Sequence, residues 1–173
     1  MSLSHWLEPE MKSKAVIALG SNLGDRAKTI SKAQKQIAKL RGVELIAVSK
    51  NYASEALTET GFDPDQPEFL NAVAIIETKL NPKKLLSRLN DIENKFGRIR
   101  LARWAPRTLD LDIITYGTSL VETKSLVIPH PRAHERSFVL IPWLEVEPDA
   151  VLPGFGSVAD LAATMQDQVQ EVP

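Results

Sequence analysis

The chain of 173 residues contains no cysteine, which excludes disulfide frameworks, cysteine-ligated zinc sites and thiol nucleophiles. It has no apolar run long enough to cross a membrane, and its N-terminus lacks the apolar centre of a signal peptide. Its net charge of −1 is not the basic balance that general nucleic-acid-binding proteins usually have. These absences predict a cytoplasmic location, with neither a membrane nor a nucleic acid as partner.

The length fits one domain with a sizeable core. Residues 1–13 include Glu8, Pro9 and Glu10, and we interpret them as a leader, a tag or a linker remnant. Residues 14–173 are predicted to form the single domain.

Hydrophobic periodicity predicts an ordered series of strands and helices. Asp25 and Asn81 are expected to cap the first two helices, and Gly97 to end the second. The segments are a strand at Ala15–Leu19, a helix to Leu40, a strand at Val43–Tyr52, a long polar loop at Ser54–Glu68, a strand at Phe69–Leu80, a helix at Pro82–Phe96, a basic loop at Arg98–Arg107, a strand at Thr108–Tyr116, a hairpin through Gly117 into Val121, a rigid loop at Pro129–Arg132, and helices at His134–Glu145 and Val158–Met165.

This order is β-α-β-β-α-β with additions, which is the order of the ferredoxin-like fold. The sequence therefore predicts an α/β (α+β) protein with a largely antiparallel sheet. Two helices should cover one face, and the additional helices should lie elsewhere.

The segment from Leu109 to Ile113 alternates aliphatic and acidic residues. On a strand, Asp110 and Asp112 would share one face, with Cα atoms roughly 6.6 Å apart. Two carboxylates so close repel each other unless a cation lies between them, and Mg²⁺ is typically held by one or two carboxylates together with substrate phosphates. An edge strand with a polar face is the alternative.

Two basic clusters lie near this strand in the sequence. The first has no acid among its cations, and we favour polyanion binding over a solvated surface because it leads directly into the acidic strand. A rigid Pro-His-Pro loop near arginines favours a phosphate contact for His130. The clusters comprise Lys95, Arg98, Arg100, Arg103 and Arg107, and then His130, Arg132, His134 and Arg136.

The roles of several other residues stay open on the sequence alone. Trp104 fits either a core position or stacking on a ring, and Phe69 and Phe138 are more often core residues. Asn71 lies within an apolar strand, so it needs either backbone partners or a ligand edge. The loop from Gly20 to Asp25 lacks the Gly-Lys-Ser/Thr ending of a P-loop, and we interpret it as a strand-to-helix turn.

Five segments together resemble the 6-hydroxymethyl-7,8-dihydropterin pyrophosphokinase family over about residues 15–161. The segment Arg-Trp-Ala-Pro-Arg-Thr-Leu-Asp-Leu-Asp is highly specific for that family. The matching segments are Ala18–Gly24, Asp65–Asn71, Arg103–Asp112, Ile128–Pro131 and Arg136–Phe138.

This resemblance implies a ferredoxin-like fold and transfer of pyrophosphate from ATP to the pterin hydroxymethyl group in folate biosynthesis, with release of AMP. It implies that Asp110 and Asp112 hold two Mg²⁺ ions. It also implies that such a chain can be fused or adjacent to another folate-pathway enzyme. By the same resemblance, Arg98, Arg100, Arg107, His130 and Arg136 would contact the triphosphate, Glu93 and Ile113 would lie near the nucleoside, and Asn71, Phe69, Trp104 and Phe138 would form the pterin pocket.

Two other functions compete with this one. A ferredoxin-like module could bind a nucleotide or phosphorylated metabolite without turnover, but it would gain little from two carboxylates on one face. A structural RNA-binding domain would need exposed sheet aromatics and a basic balance, and neither is found.

Overall fold

The computed structural model of the protein describes residues 11–97 and 108–173. Within these ranges the chain forms twelve strands and four helices. The strands are β1 Ser13–Ser21, β2 Val43–Val48, β3 Asn51–Ser54, β4 Ala56–Thr58, β5 Gly61–Asp63, β6 Phe69–Thr78, β7 Asp110–Tyr116, β8 Val121–Glu122, β9 Val127–Ile128, β10 Val151–Leu152, β11 Gly156–Ser157 and β12 Gln170–Val172. The helices are α1 Arg26–Ala38, α2 Pro82–Lys95, α3 Ser137–Val146 and α4 Val158–Ala162, and short 3₁₀ turns lie at Ala133–Glu135 and Gln166–Gln168.

Six strands form the main sheet, in the order β12-β3-β6-β1-β7, with β2 paired beside β3 on the second half of β6. All of these pairings are antiparallel. The ferredoxin-like prediction is confirmed, since β1 and β6 lie at the centre and the strand after α2 lies beside β1.

The two faces of the sheet carry two separate cores. Helices α1 and α2 cover one face, where Ile30, Ile37, Leu85 and Leu89 pack on the strands. Helices α3 and α4 cover part of the other face, and Trp143 is the largest fully buried side chain there. Alternate residues of β1 therefore enter different cores, which explains why the strand is apolar from Ala15 to Leu19.

The predicted helix caps are confirmed. The side chain of Asp25 accepts a hydrogen bond from the Lys28 amide at the start of α1, and Asn81 accepts one from Lys84 at the start of α2. Gly97 follows α2 with a φ of 74°, a left-handed conformation that glycine adopts without steric cost.

The prediction of one strand over Val43–Tyr52 is wrong. The chain is interrupted at Ser49, whose amide donates to the Val73 carbonyl and whose hydroxyl accepts from the Val73 amide, both at 2.9 Å. A side-chain oxygen thus replaces a backbone partner, and the strand resumes as β3.

Other boundaries also differ from the predictions. The polar loop Ser54–Glu68 contains the hairpin of β4 and β5. The segment after Gly117 does not fold back on β7, because β8 pairs with β9. Helix α3 begins at Ser137, after a 3₁₀ turn, and α4 ends at Ala162.

Two predicted segments lie wholly or mostly outside the described residues, namely the basic loop Arg98–Arg107 and the leader 1–13, of which residues 11–13 are described. Across residues 11–97 and 108–173, no helix has both the length and the apolar character needed to cross a membrane.

Candidate functional site

Three neighbouring strands place polar and small residues in one row at the end of the sheet. Gly20 of β1 is the register partner of Asn71 on β6 and of Asp110 on β7. Two residues before Gly20 in β1, Ala18 is the partner of Asp112. Because cross-strand partners share a face, these residues lie together on the side of the sheet that carries α3.

Strand β7 separates acidic from aliphatic side chains as its alternation predicts. Leu109, Leu111 and Ile113 are at most 3% exposed and belong to the core under α1 and α2. Asp110 and Asp112 are half-buried on the opposite face and line a cavity. The shared face of the two carboxylates is therefore present in the structure.

The cavity has a volume of about 360 Å³, within the size range of small-molecule sites. Its floor is the end of the sheet, one wall is the segment around β4, and the other wall is the start of α3 with the loop before it. The described residues that line it are Ala18, Leu19, Gly20, Ser54, Glu55, Ala56, Leu57, Gln66, Phe69, Asn71, Asp110, Asp112, His130, Pro131, Arg132, Arg136, Phe138 and Val139.

Asn71 is held in one orientation by β3. Its Nδ2 donates to the Ser54 hydroxyl at 2.9 Å and to the Tyr52 carbonyl at 3.3 Å. These contacts use the two amide hydrogens, so the side chain presents Oδ1, an acceptor, on the side of Gly20. The cavity thus offers a fixed acceptor on the β6 side of Gly20, with the carboxylate of Asp110 on the β7 side.

His130 is a neutral donor at the opposite wall. Burial lowers its pKa to about 4, and the nearby charge of Arg136 acts in the same direction, against the opposing effect of Asp110. Its Nδ1 accepts from the Arg132 amide at 3.2 Å. A neutral ring with an accepting Nδ1 carries its proton on Nε2, which can donate to a ligand oxygen.

Arg136 is largely buried beside the two carboxylates. Its guanidinium carbon lies 5.6 Å from the centre of the Phe138 ring, within the range of a cation–π contact. Burial lowers its pKa, and the carboxylate of Asp112 opposes that effect. Among the described residues its buried Nε has no hydrogen-bond partner, which leaves a donor for an anion.

The donor set fits a magnesium ion held together with a substrate. The described residues contain no cluster of three or more histidine, aspartate or glutamate side chains suited to a metal. Two carboxylates on one strand face nevertheless match the way Mg²⁺ binds, since phosphates and water complete its six oxygens.

Several predicted site residues share this cavity, and others do not. The cavity brings together Asp110, Asp112, Asn71, Phe69, Phe138, His130 and Arg136. The predicted residues Arg98, Arg100, Trp104 and Arg107 lie outside the described part of the chain.

Glu93 and Ile113 lie under the sheet rather than in the cavity. Glu93 is 1% exposed, and its Oε1 accepts from the Leu111 amide at 2.8 Å. This contact fixes the strand that carries the carboxylates. The nucleoside contact expected of the two residues stays a prediction, and the cavity lining does not include them.

Several residues that line the cavity have no role that the sequence alone predicts. Ser54 orients Asn71 from a position 17 residues away, a contact that only the pairing of β3 with β6 creates. Gly20 lies within β1 rather than in the predicted strand-to-helix turn, and its place directly after the predicted strand Ala15–Leu19 is a usable indication. Gln66 and Pro131 lie within two of the matching segments but are given no role of their own, and Glu55 has no distinguishing pattern.

The fold and the cavity together define a ferredoxin-like α/β protein with a site suited to a phosphorylated small molecule and a divalent cation. Residues 16–148 match the model of the 7,8-dihydro-6-hydroxymethylpterin-pyrophosphokinase (HPPK) family. The chain belongs to this family.

Curated relatives agree over most of the chain. It is 44% identical over 153 residues to the 2-amino-4-hydroxy-6-hydroxymethyldihydropteridine pyrophosphokinase of Haemophilus influenzae, covering 88% of this chain and 93% of the relative. The Bacillus subtilis enzyme of the same name is 43% identical over 136 residues, with 79% of each chain covered.

Longer proteins also contain this unit. The folic acid synthesis protein fol1 of Pneumocystis carinii is 41% identical over 150 residues, which are 86% of this chain and 20% of that protein. The crystal structure of Plasmodium falciparum HPPK-DHPS with pterin and p-hydroxybenzoate superposes with a TM-score of 0.70 at 12% identity. That match covers 95% of this chain and 47% of the other, and it supports the fold.

Proposed function

We propose that this chain transfers pyrophosphate from ATP to the hydroxymethyl group of 6-hydroxymethyl-7,8-dihydropterin, with Mg²⁺ held at Asp110 and Asp112. Family membership supports pyrophosphoryl transfer to the hydroxymethyldihydropterin in folate biosynthesis and implies ATP as the co-substrate. The observation that carries the proposal is the row from Asn71 through Gly20 to Asp110, which joins an acceptor for a heterocycle to a carboxylate pair for a metal.

The pterin is assigned to the end of the cavity between Asn71 and the aromatic rings. Asn71 Oδ1 accepts a hydrogen bond from an N–H group of the pterin edge. Phe69 and Phe138 offer ring faces or edges to the flat bicycle. Trp104 is proposed as a further wall of the same pocket.

The triphosphate is assigned to the end with the carboxylates and the basic side chains. Nε2 of His130 and the buried guanidinium of Arg136 donate to phosphate oxygens. Arg98, Arg100 and Arg107 are proposed to complete the binding of the triphosphate, and Glu93 and Ile113 to support the nucleoside from beneath the sheet.

In the reaction, the pterin hydroxyl oxygen attacks the β-phosphorus of ATP, and its proton passes to solvent. The bond from the β-phosphorus to the oxygen bridging the α- and β-phosphates breaks, and AMP leaves with that oxygen. Mg²⁺ at Asp110 and Asp112 would neutralise charge on the phosphates and polarise the transferred group. The chain's own contribution is to align hydroxyl and phosphorus and to hold the transferred phosphates on Arg136 and His130.

The test is to mix the protein with Mg²⁺, ATP and the reduced hydroxymethylpterin and to identify the nucleotide product. We expect AMP and no ADP. Asp112→Ala and Asp110→Ala should abolish turnover and should melt no lower than the parent, since loss of one acid relieves like-charge repulsion. ADP as product, or near-parental rates of these variants at saturating Mg²⁺, would refute the proposal.

The non-catalytic binding module makes the opposite prediction of no turnover in that assay. A cytoplasmic location, and the fusion or adjacency of this unit to another folate-pathway enzyme, stay predictions. Longer relatives such as the Pneumocystis carinii protein support the second of these.

A further inference from the structure

The backbone conformation at position 20 does not require glycine. All eight glycines of the chain lie in the described residues, and seven have a positive φ, where a side chain is strained. Gly20 is the exception, because it lies in the regular pairing of β1 with two neighbours. Any residue can adopt its conformation, and glycine weakens a strand interior relative to residues with a side chain.

Packing among the described residues does not require glycine there either. A Cβ atom built on Gly20 would lie 3.5 Å from Asn71 Oδ1 and 3.6 Å from Cδ1 of Phe69, both ordinary van der Waals distances. Within the described residues, no other atom beyond the chain neighbours lies within 4 Å. The described residues leave room for a methyl group, so this space belongs to the cavity that Gly20 lines.

The side chains of β1 become smaller toward the cavity. On the face that carries α3, Val16 is fully buried in the second core, Ala18 lines the cavity beside Asp112, and Gly20 follows between Asn71 and Asp110. The space above β1 is therefore largest at Gly20, next to the Oδ1 acceptor of Asn71.

The position of the added atom decides which ligand it would obstruct. It touches Asn71 and Phe69, which belong to the proposed pterin end, and no atom of Asp110 lies within 4 Å of it. A donor must approach an amide oxygen to about 2.9 Å. A methyl group 3.5 Å from Oδ1 on the same side would occupy space that this donor and its ring need.

We propose that Gly20 determines specificity for a flat, bicyclic heteroaromatic substrate: its missing side chain keeps open the path by which the ring reaches Asn71. This inference rests on the proposed function, since it concerns the pterin end of the same site. A larger residue at position 20 excludes the heterocycle and leaves the nucleotide and metal end intact.

The test compares Gly20→Ala and Gly20→Val with the parent by calorimetry. A non-hydrolysable ATP analogue with Mg²⁺ is titrated into each protein, and the hydroxymethylpterin is then titrated into the protein saturated with the analogue. We expect parental affinity for the analogue within about twofold, a loss of pterin affinity of at least about tenfold for alanine, and a larger loss for valine. Neither variant should melt below the parent.

Ser21→Ala is the matched control. Ser21 is the next residue of the same strand, does not line the cavity, and has a buried hydroxyl without a partner in the described residues. It should bind both ligands as the parent does. Parental pterin affinity in Gly20→Ala, or equal losses of both ligands, would overturn the inference, whereas a parent that neither binds the pterin nor forms AMP would refute the proposed function instead.

Discussion

At the scale of single residues, the alternation of Asp110 and Asp112 with aliphatic neighbours was enough to predict their shared face. Period two is set by the backbone, so burial of Leu111 and Ile113 forces the acids to the other side. The partners of Asn71 could not be predicted in the same way. Ser54 and Tyr52 reach it only through the pairing of two strands, which depends on the whole sheet.

Asn71→Ala should weaken pterin binding far more than binding of the ATP analogue. The substitution removes the acceptor near Gly20 and leaves the partners of its amide unpaired, at about 1–3 kcal/mol per buried group. Ser54→Ala is the matched comparison, because it frees one amide hydrogen but keeps Oδ1, and it should cost the pterin less. Separate calorimetric titrations measure both effects. Equal losses for the two ligands in Asn71→Ala would mean that Asn71 is structural.

His130 should make the stability of the protein depend on pH. Its pKa is about 4 in the folded chain against 6.5 for an ordinary histidine, so between these values the unfolded chain binds more protons. The free energy of unfolding should therefore rise from pH 4 to pH 6.5 and gain nothing further from His130 above that. In metal-free buffer, urea unfolding at pH 5 and 7 should differ by about 1–2 kcal/mol more in the parent than in His130→Gln. Parallel profiles of the two proteins would contradict this origin.

At the scale of elements, the sequence predicts where helices begin and end. It does not predict the interruption between β2 and β3. Asp25, Asn81 and Gly97 act through contacts with neighbouring residues, which a sequence displays directly. The interruption at Ser49 depends on Val73, 24 residues away, so no local pattern reveals it.

The carboxylate of Glu145 on α3 forms hydrogen bonds to β3 and to the residue before it. These bonds should contribute measurably to the free energy of unfolding. Glu145 accepts from the Tyr52 hydroxyl at 2.8 Å and from the Lys50 amide at 3.1 Å. Tyr52 is 8% exposed, and burial, followed by this hydrogen bond, raises its pKa. Tyr52→Phe should cost about 0.5–1.5 kcal/mol of unfolding free energy, and Glu145→Ala should cost more because two donors lose their acceptor.

A double-mutant cycle on Tyr52 and Glu145 isolates the pair. The cost of Tyr52→Phe should largely disappear in the Glu145→Ala background, because the hydroxyl then has no partner to lose. Additive costs, measured by urea unfolding, would show that the two side chains act independently.

At the scale of the whole molecule, the order of elements predicted the arrangement of the central strands and of the helices. Connections between successive elements admit few topologies, and a β-α-β-β-α-β order with two amphipathic helices leads to the observed antiparallel sheet. Strand β12 was beyond prediction. It has only three residues, two of them polar, and they form a strand because β3 presents an edge with which they pair.

This terminal strand connects the end of the chain to the pterin end of the cavity. Glu171 of β12 is the register partner of Tyr52, which lies opposite Asn71 on the next strand. Val172 packs against the first core, and the Lys50 ammonium lies 2.7 Å from the Glu171 carboxylate. The last residues therefore support the strand that orients Asn71.

Deletion of residues 169–173 should lower stability and loosen the pterin site, with little effect on the nucleotide. Loss of three paired residues should cost about 1–2 kcal/mol and lower Tm by about 2–8 °C. Hydrogen exchange should increase in β3, and the KM for the pterin should rise more than the KM for ATP. Glu171→Gln is the control, since it removes only an exposed ion pair worth at most about 1 kcal/mol and keeps the strand. If the truncated protein keeps the parental pterin KM and β3 exchange, or if Glu171→Gln reproduces the truncation, pairing of β12 does not position Asn71.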